Sequence, residues 1–113
     1  MKISILKKRR EFVDVSKNGN KLFFKDLIVQ YKGNSNLGIR IGYTASRKVG
    51  GAVQRNRAKR RMRAAVLNCV NKKVFSNIDF DIVFIAKTSV TNVSWDSLLN
   101  QFVNIFGKIC KNT

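Results

Sequence analysis

The segment FDIVFIAK, residues 80–87, is the feature that most constrains the fold of this chain. Its β-branched and aromatic residues form a nearly continuous apolar run. A run of this kind is typical of a central strand that is buried on both faces of a sheet. Because a long helical pattern precedes it, the strand is expected to pair in parallel with an earlier strand. The chain therefore needs a sheet that helices cover.

Two segments have the three- and four-residue apolar spacing of helices that pack on such a sheet. The first covers about residues 52–72, and its apolar stripe comprises Ala58, Met62, Ala65, Val66, Cys69 and Val70. The second covers residues 94–111, with Ser94 as the N-cap, and its stripe comprises Trp95, Leu98, Leu99, Phe102, Phe106 and Ile109. A shorter basic helix is predicted over residues 8–17, because Asn18-Gly19 favours a stop.

Residues 26–32 and 38–46 alternate in the manner of strands. The cluster Gly33-Asn34-Ser35-Asn36 between them has turn chemistry, so an antiparallel hairpin is expected. In the second strand one face comprises Ile39, Ile41, Tyr43 and Ala45, and the other comprises Arg40, Gly42, Thr44 and Ser46. The first face is expected to pack, and the second to be polar and open.

The charge of the chain indicates a polyanionic partner. There are 23 Lys and Arg residues against 6 Asp and Glu, a formal net charge of +17, and no acid between Asp26 and Asp79. Nucleic acid is the expected partner, with its binding region in the middle of the chain. A membrane surface is the competing polyanion. However, no apolar run has the length of a span and the amino terminus lacks a signal-peptide core, so a cytoplasmic location is expected.

The start of the second predicted helix concentrates this charge. Between Arg55 and Arg63 there are five arginines and one lysine, and the guanidinium fork makes bidentate bonds to phosphate that lysine cannot make. Gly50-Gly51 before the helix either lets backbone N–H groups approach an anion or forms a flexible hinge. Asn56 could cap the helix, bond its own backbone or contact a ligand.

The sequence contains few residues that could catalyse a reaction. There is no histidine, so the usual acid–base pair of a metal-free ribonuclease is missing. Asp79 and Asp81 are the only close pair of carboxylates, and we interpret them as marking the start of a strand and pairing with cations. No catalytic residue and no metal site are predicted. Cys69 and Cys110 lie on apolar helix stripes and are interpreted as core residues.

One motif is more specific than a basic run. Ser46-Arg47-Lys48-x-Gly50-x-Ala52-x-x-Arg55-Asn56-Arg57-x-Lys59-Arg60-x-x-Arg63 resembles the signature of the bacterial ribonuclease P protein subunit, and the likeness extends over about residues 7–110. The resemblance implies an α+β fold of one domain, residues 1–113. It is a two-layer α-β sandwich with the order α-β-β-β-α-β-α and a left-handed β-α-β crossover, as in some ribosomal proteins.

The resemblance also implies a function. In this family the RNA subunit, with Mg²⁺, removes the 5′ leader of precursor tRNA, and the protein assists without a cofactor or an obligate protein partner of its own. The helix that contacts the catalytic RNA would use Arg55, Asn56, Arg57, Lys59, Arg60, Arg61 and Arg63. A cleft for the single-stranded leader would use Phe12, Arg40, Thr44, Ser46, Arg47, Lys48 and Lys87.

The chain departs from the family pattern at three positions. Ser16 and Gln30 stand where relatives carry aromatic residues, so leader stacking is expected to be thinner or to be supplied by Phe23 or Phe24. Ala58 replaces a bulkier aliphatic residue. Two other functions fit the same charge: a structural nucleic-acid-binding protein of ribosomal or nucleoid type, and an autonomous nuclease that uses Asp79 and Asp81.

Overall fold

Strand β5, Phe80–Ala86, lies at the centre of a five-stranded sheet in the computed structural model, which describes residues 3–72 and 78–111. It pairs in parallel with β4, Ile39–Thr44, and antiparallel with β3, Leu27–Gly33. All of its residues except Ile85 are buried. The predicted central strand and its parallel partner are confirmed.

Two short strands form the edges of the sheet. Strand β1, Ile3–Ile5, pairs in parallel with β4, and strand β2, Asn20–Phe23, pairs antiparallel with β3. The spatial order is therefore β1-β4-β5-β3-β2. Strand β1 is absent from the predicted order, because three residues are too few to show a period of two. From the first helix onward, the predicted succession of elements and the α+β class are confirmed.

The predicted hairpin of β3 and β4 is wrong, because β5 lies between these two strands. An apolar strand buried on both faces gains most where it has a neighbour along each edge. The five-residue connection from Asn34 to Gly38 spans the gap by bonding to the start of β5. Asn34 donates its backbone N–H to the carbonyl of Asp79 at 3.0 Å, and Phe80 donates to the carbonyl of Gly38 at 3.2 Å.

Two helices cover one face of the sheet. Helix α2, Ala52–Asn71, and helix α3, Trp95–Lys111, closely match the predicted boundaries. Ser94 caps α3, because the N–H of Ser97 donates to its hydroxyl at 3.2 Å. The core contains the buried stripe of each helix and the inward residues of the sheet, with the ring of Phe84 4.8 Å from that of Phe102. Burial raises the pKa of Cys69 to about 11, and Cys110 packs partly buried against the same core, which confirms both as core residues.

Helix α1, Arg9–Asn18, packs on the opposite face of the sheet. Val15 is buried against Leu6 and Val83, in a small second core. The Cε2–Cζ edge of the Phe12 ring lies against Gly42, and a Cβ at Gly42 would overlap it. The face of β4 that was expected to be open is therefore covered at this point. The reason is that a glycine without a side chain gives an aromatic ring room to approach the backbone.

Helix α2 joins the parallel neighbours β4 and β5, which is the β-α-β unit that the resemblance implies. The left hand of this crossover stays a prediction. Within the described residues, no helix is long and apolar enough to cross a membrane.

Candidate nucleic-acid interface

The segment between β4 and α2 sets where the basic helix begins. Ser46 caps a single 3₁₀ turn, Arg47–Val49, since the N–H of Lys48 donates to its hydroxyl at 3.3 Å. Gly50 follows with a φ of 139°, a conformation that favours glycine. A Cβ at Gly51 would meet nothing within 4 Å. Gly50 is therefore required by backbone geometry, while Gly51 leaves open space before the helix.

One outward face of α2 carries cations without acids. It comprises Val53, Asn56, Lys59, Arg60 and Arg63, which line a shallow depression of about 430 Å³. We call these five residues the basic face. In the part of the chain that the structure describes, the ion pairs join other residues and none includes a side chain of α2. The basic face thus keeps its full charge for an external anion, and Asn56 lies among the cations and not at a helix cap.

Two of the predicted RNA-contacting arginines bond inside the protein. Arg57 donates Nε to the carbonyl of Thr91 at 2.8 Å. Arg61 donates its two terminal nitrogens to the carbonyls of Val90 and Val93, both at 2.6 Å. Burial, followed by the charge of Arg57, lowers the pKa of Arg61. These bonds tie α2 to the 3₁₀ turn Thr88–Thr91 that leads into α3, so both arginines lie on a different flank from the basic face.

Arg63 and Arg55 differ in exposure, since Arg63 is exposed and Arg55 is half-buried. The guanidinium of Arg63 lies 5.4 Å from the centre of the Tyr43 ring, a cation–π distance. Burial of that ring raises the pKa of Tyr43 to about 12. Nε of Arg55 is buried and has no hydrogen-bond partner within the described residues. Arg55 thus lies close to the body of the protein, whereas Arg63 keeps an exposed charge on the basic face.

A groove runs between α1 and the sheet on the opposite face of the molecule. It has a volume of about 430 Å³ and is lined by Arg9, Phe12, Val13, Ser16, Lys17, Gln30, Thr44, Val83 and Ile85. We call it the α1 groove. Of the predicted cleft residues, Phe12 and Thr44 lie in it. Ser16 and Gln30, which replace aromatic residues of the family pattern, line the same groove and make its wall more polar than aromatic side chains would.

Sequence reasoning missed Arg9 and Lys17 as groove residues. They share a helix face with Phe12, Val13 and Ser16, because positions three, four and eight residues apart lie on one side of a helix. That spacing was the available signal. The two cations flank the apolar floor of the groove, which suits a strand with a charged backbone and apolar bases.

Arg40 lies in an ion-pair cluster and not in the groove wall. Its Nε and Nη2 each donate to a carboxylate oxygen of Asp81 at 2.7 Å, and its Nη1 donates to Glu11 at 2.9 Å. The bonds to Asp81 raise the pKa of Arg40 above its usual value. The charge of the guanidinium is thus paired with two carboxylates of the protein. It joins α1, through Glu11, to the centre of the sheet.

The two aspartates that a nuclease would need are both engaged. Asp81 is buried against Arg40 and also accepts from the side-chain amide of Asn34 at 2.8 Å. Asp79 accepts from the N–H of Gly38 at 2.9 Å. The interpretation of Asp81 as a partner of a cation is confirmed, whereas Asp79 binds backbone. Across residues 3–72 and 78–111, no three His, Cys, Asp or Glu side chains come together as metal ligands.

Four other predicted cleft residues follow the carboxyl ends of β4 and β5, at one end of the sheet. Arg47 and Lys48 are exposed, and the hydroxyl of Thr88 donates to the carbonyl of Lys48 at 3.1 Å. Lys87 donates its ammonium to the carbonyl of Phe24 at 2.7 Å. Because β4 and β5 are parallel, Ser46, Arg47, Lys48 and Lys87 are brought to the same end of the sheet as Thr44.

Sequence comparisons agree with this architecture. The family model described as Ribonuclease P matches residues 1–110. The ribonuclease P protein component of Citrifermentans bemidjiense is 34% identical over 106 residues, 94% of this chain and 88% of the relative. That of Thermoanaerobacter sp. strain X514 is 32% identical over 108 residues, 95% of this chain and 90% of the relative.

Solved structures share the whole fold. The RNase P protein of Thermotoga maritima superposes with a TM-score of 0.79 at 28% identity, covering 93% of this chain and 96% of that one. The RNase P protein of Staphylococcus aureus gives 0.77 at 27% identity, covering 97% of both chains. With the family match over residues 1–110 and these relatives, the chain belongs to the ribonuclease P protein family.

Proposed function

We propose that this protein binds the catalytic RNA of ribonuclease P through the basic face and holds the single-stranded 5′ leader of precursor tRNA in the α1 groove. The observation that carries the proposal is the placement of these two surfaces. The basic face belongs to α2, on one side of the sheet, and the α1 groove lies on the other side. Two RNA segments can therefore bind at once without competing for the same residues.

The chemistry of each surface fits its proposed ligand. Arginine and lysine without neighbouring acids suit a folded RNA backbone, which presents many phosphates. The α1 groove combines an apolar floor, one aromatic ring and flanking cations, and single strands are generally bound by such combinations without reading their sequence. Thr44 adds a hydroxyl that can donate to a sugar or a phosphate.

We assign hydrolysis of the leader phosphodiester to the RNA subunit with its Mg²⁺. This chain has no histidine, and its central carboxylates are bonded to Arg40 and to backbone N–H groups. The contribution of the protein is electrostatic, because cations between two RNAs reduce their repulsion and the need for metal ions.

If about six phosphates are neutralised on a single strand, log affinity falls with log salt at a slope of roughly −4. A cytoplasmic location stays a prediction.

Cleavage of precursor tRNA in all combinations of protein, RNA subunit and substrate tests this proposal. The protein alone should cleave nothing, and adding it to the RNA subunit should accelerate leader removal at low Mg²⁺. It should also make the complex prefer precursor over mature tRNA. Binding to RNA without acceleration or preference would instead identify a structural RNA-binding protein. Cleavage by the protein alone that Asp79→Asn with Asp81→Asn abolishes would identify an autonomous nuclease.

A further inference from the structure

The register of the sheet arranges the side chains on the α1 side in three rows that run across the strands. The first row contains Arg40, Asp81 and Lys32; the second contains Gly42, Val83, Gln30 and Lys21; the third contains Thr44, Ile85, Ile28 and Phe23. Residues opposite each other in a ladder point to the same face. We call the third row the edge shelf.

Helix α1 packs over the first row and over Gly42 and Val83 of the second, whereas the edge shelf lies at its margin, with Ile85 partly buried and Phe23 exposed. Glu11 of the helix bonds Arg40, and Asp14 bonds Lys32 at 2.6 Å, so the helix crosses the strands above the first row. Phe12 reaches Gly42 in the second row. The edge shelf therefore continues the floor of the α1 groove, beyond Thr44 and Ile85, towards strand β2.

Phe23 ends the edge shelf and is unusually exposed for a phenylalanine. Its exposed fraction is 72%, the largest of any aromatic residue among the exposed apolar side chains. It pairs across the ladder with Ile28, which is half-buried, and it lies at the end of β2 on the open edge of the sheet. Side chains of a strand stand roughly perpendicular to the sheet, so an apolar surface is offered to solvent at this edge.

The charges around the edge shelf suit a polyanion. The acids on this face are Glu11, Asp14 and Asp81, and each forms an ion pair with a lysine or arginine of the sheet. Two cations beside the shelf have no such partner among the ion pairs of the described chain: Lys17 lines the groove, and Lys21 lies two residues before Phe23 on β2. An apolar peptide would gain nothing from these cations, whereas an RNA strand would.

The α1 groove itself has limited stacking capacity. Phe12 is the single aromatic residue that lines it, and the Cε2–Cζ edge of that ring lies against Gly42. Ser16 and Gln30 beside it are polar. A base that enters the groove therefore meets one ring, and any second aromatic platform has to come from beyond the groove. Along the row that contains Thr44 and Ile85, Phe23 is that residue.

We propose that single-stranded RNA leaves the α1 groove along the edge shelf and that Phe23 stacks one of its unpaired bases. The path from Thr44 to Phe23 crosses three strand spacings, about 14 Å. This inference rests on the proposed function for the identity of the strand, the 5′ leader. It adds a second aromatic contact, at the far edge of the sheet, to the contact that Phe12 makes in the groove.

The test uses the reconstituted holoenzyme and precursor tRNAs in which one leader base at a time is replaced by an abasic site. With wild-type protein, one leader position outside the set that Phe12→Ala affects should lose affinity when its base is removed. Phe23→Ala should weaken binding of the intact leader about five- to tenfold, the lower end of stacking on an aromatic residue. At that one position, removing the base and replacing Phe23 together should weaken binding no more than either change alone, since both remove the same contact.

Matched variants separate stacking from other effects. Phe23→Trp should keep the affinity of the wild type, because an aromatic platform remains. Leu37→Ala removes a comparably exposed apolar side chain from the connection at the opposite end of the sheet and should change nothing. Circular dichroism of each variant checks that the fold is kept, and it should be, since neither side chain is buried.

The outcomes distinguish this inference from the function on which it rests. If Phe23→Ala binds every leader as the wild type does, while the wild type still prefers precursor over mature tRNA, the edge shelf has no role and the proposed function stands. If the wild type shows no such preference, the proposed function itself fails. If Phe23→Ala instead abolishes a concentration-dependent dimer in sedimentation experiments, the open edge of β2 pairs two copies of the chain, and the stacking inference is wrong.

Discussion

Two hydrogen bonds of 2.7 Å join the guanidinium of Arg40 to the carboxylate of Asp81, from neighbouring parallel strands. The same guanidinium bonds Glu11 of α1 at 2.9 Å. A residue that the resemblance places in the leader cleft thus connects the helix wall of the groove to its floor. Its effect on RNA binding is expected to pass through the position of α1.

Replacing Arg40 should destabilise the protein more than replacing an exposed partner of a similar pair. Arg40→Ala leaves the buried carboxylate of Asp81 without its cation, which costs about 3 kcal/mol in the free energy of unfolding. Lys32→Ala breaks a pair whose side chains are 37% and 44% exposed and should have a small effect. Urea unfolding of the two variants measures the difference. Equal losses would contradict a structural role of the Arg40 cluster.

The stability of the protein should fall in acid in part through Glu11. The backbone N–H of Lys8 lowers the pKa of Glu11 most, and the N–H of Lys7 and the charge of Arg40 lower it further. A carboxyl with a lowered pKa stabilises the fold at pH values above its ordinary pKa of 4.5. This contribution is lost as the pH falls through the pKa of the folded state. The stability difference between wild type and Glu11→Gln should therefore shrink from about pH 6 to about pH 3. A constant difference in urea midpoints would argue against this linkage.

Substitutions of Arg60 and Arg61, which are adjacent in the sequence, should affect different properties of the protein. Arg60 belongs to the basic face, so Arg60→Ala should weaken RNA binding and reduce the salt slope by roughly one, with little change in stability. Arg61→Ala removes the bonds to the carbonyls of Val90 and Val93 and should cost about 1–2 kcal/mol of stability. Binding to the RNA subunit at several salt concentrations, together with urea unfolding, separates the two. Equal effects of the two substitutions on RNA binding and on stability would contradict the assignment of Arg60, but not Arg61, to the basic face.

Gly42 should tolerate no side chain while Phe12 is present. A Cβ at Gly42 would overlap the Phe12 ring, so Gly42→Ala must displace the ring or the helix, at a cost of about 1–3 kcal/mol in the free energy of unfolding. In a Phe12→Ala background the same change should be much less costly. A double-mutant cycle by urea unfolding measures this coupling. Additive effects would show that the ring does not rest on the sheet at this point.

Local patterns in the sequence were sufficient for some elements. The apolar stripe of α2, the cap and stripe of α3 and the apolar run of β5 were all predicted close to their observed boundaries. Each of these signals depends on spacing within one segment. The charge of α2 was equally visible, because no acid lies near it in the chain.

The strand order and the side-chain partners were not predictable in this way. The turn residues after β3 indicated a hairpin, but β5 enters between β3 and β4. Arg57 and Arg61 have the same sequence signature as Arg60, and only the position of the segment that contains Val90 and Thr91 allows them to bond to backbone carbonyls. A periodic pattern gives the face on which a residue lies, but it contains no information about which distant segment meets that face.

The sequence by itself determined that this chain forms an α+β fold with a strongly cationic helix, and the motif from Ser46 to Arg63 determined its resemblance to a family. The tertiary structure decided which cations share a surface, namely the basic face and the α1 groove, and which ones bond to groups of the protein itself, namely Arg40, Arg57 and Arg61. It also decided that Phe23 ends a row that begins at Thr44. The physical reason is that these ion pairs and carbonyl bonds join residues 29 to 41 positions apart, so they form only when the sheet is assembled.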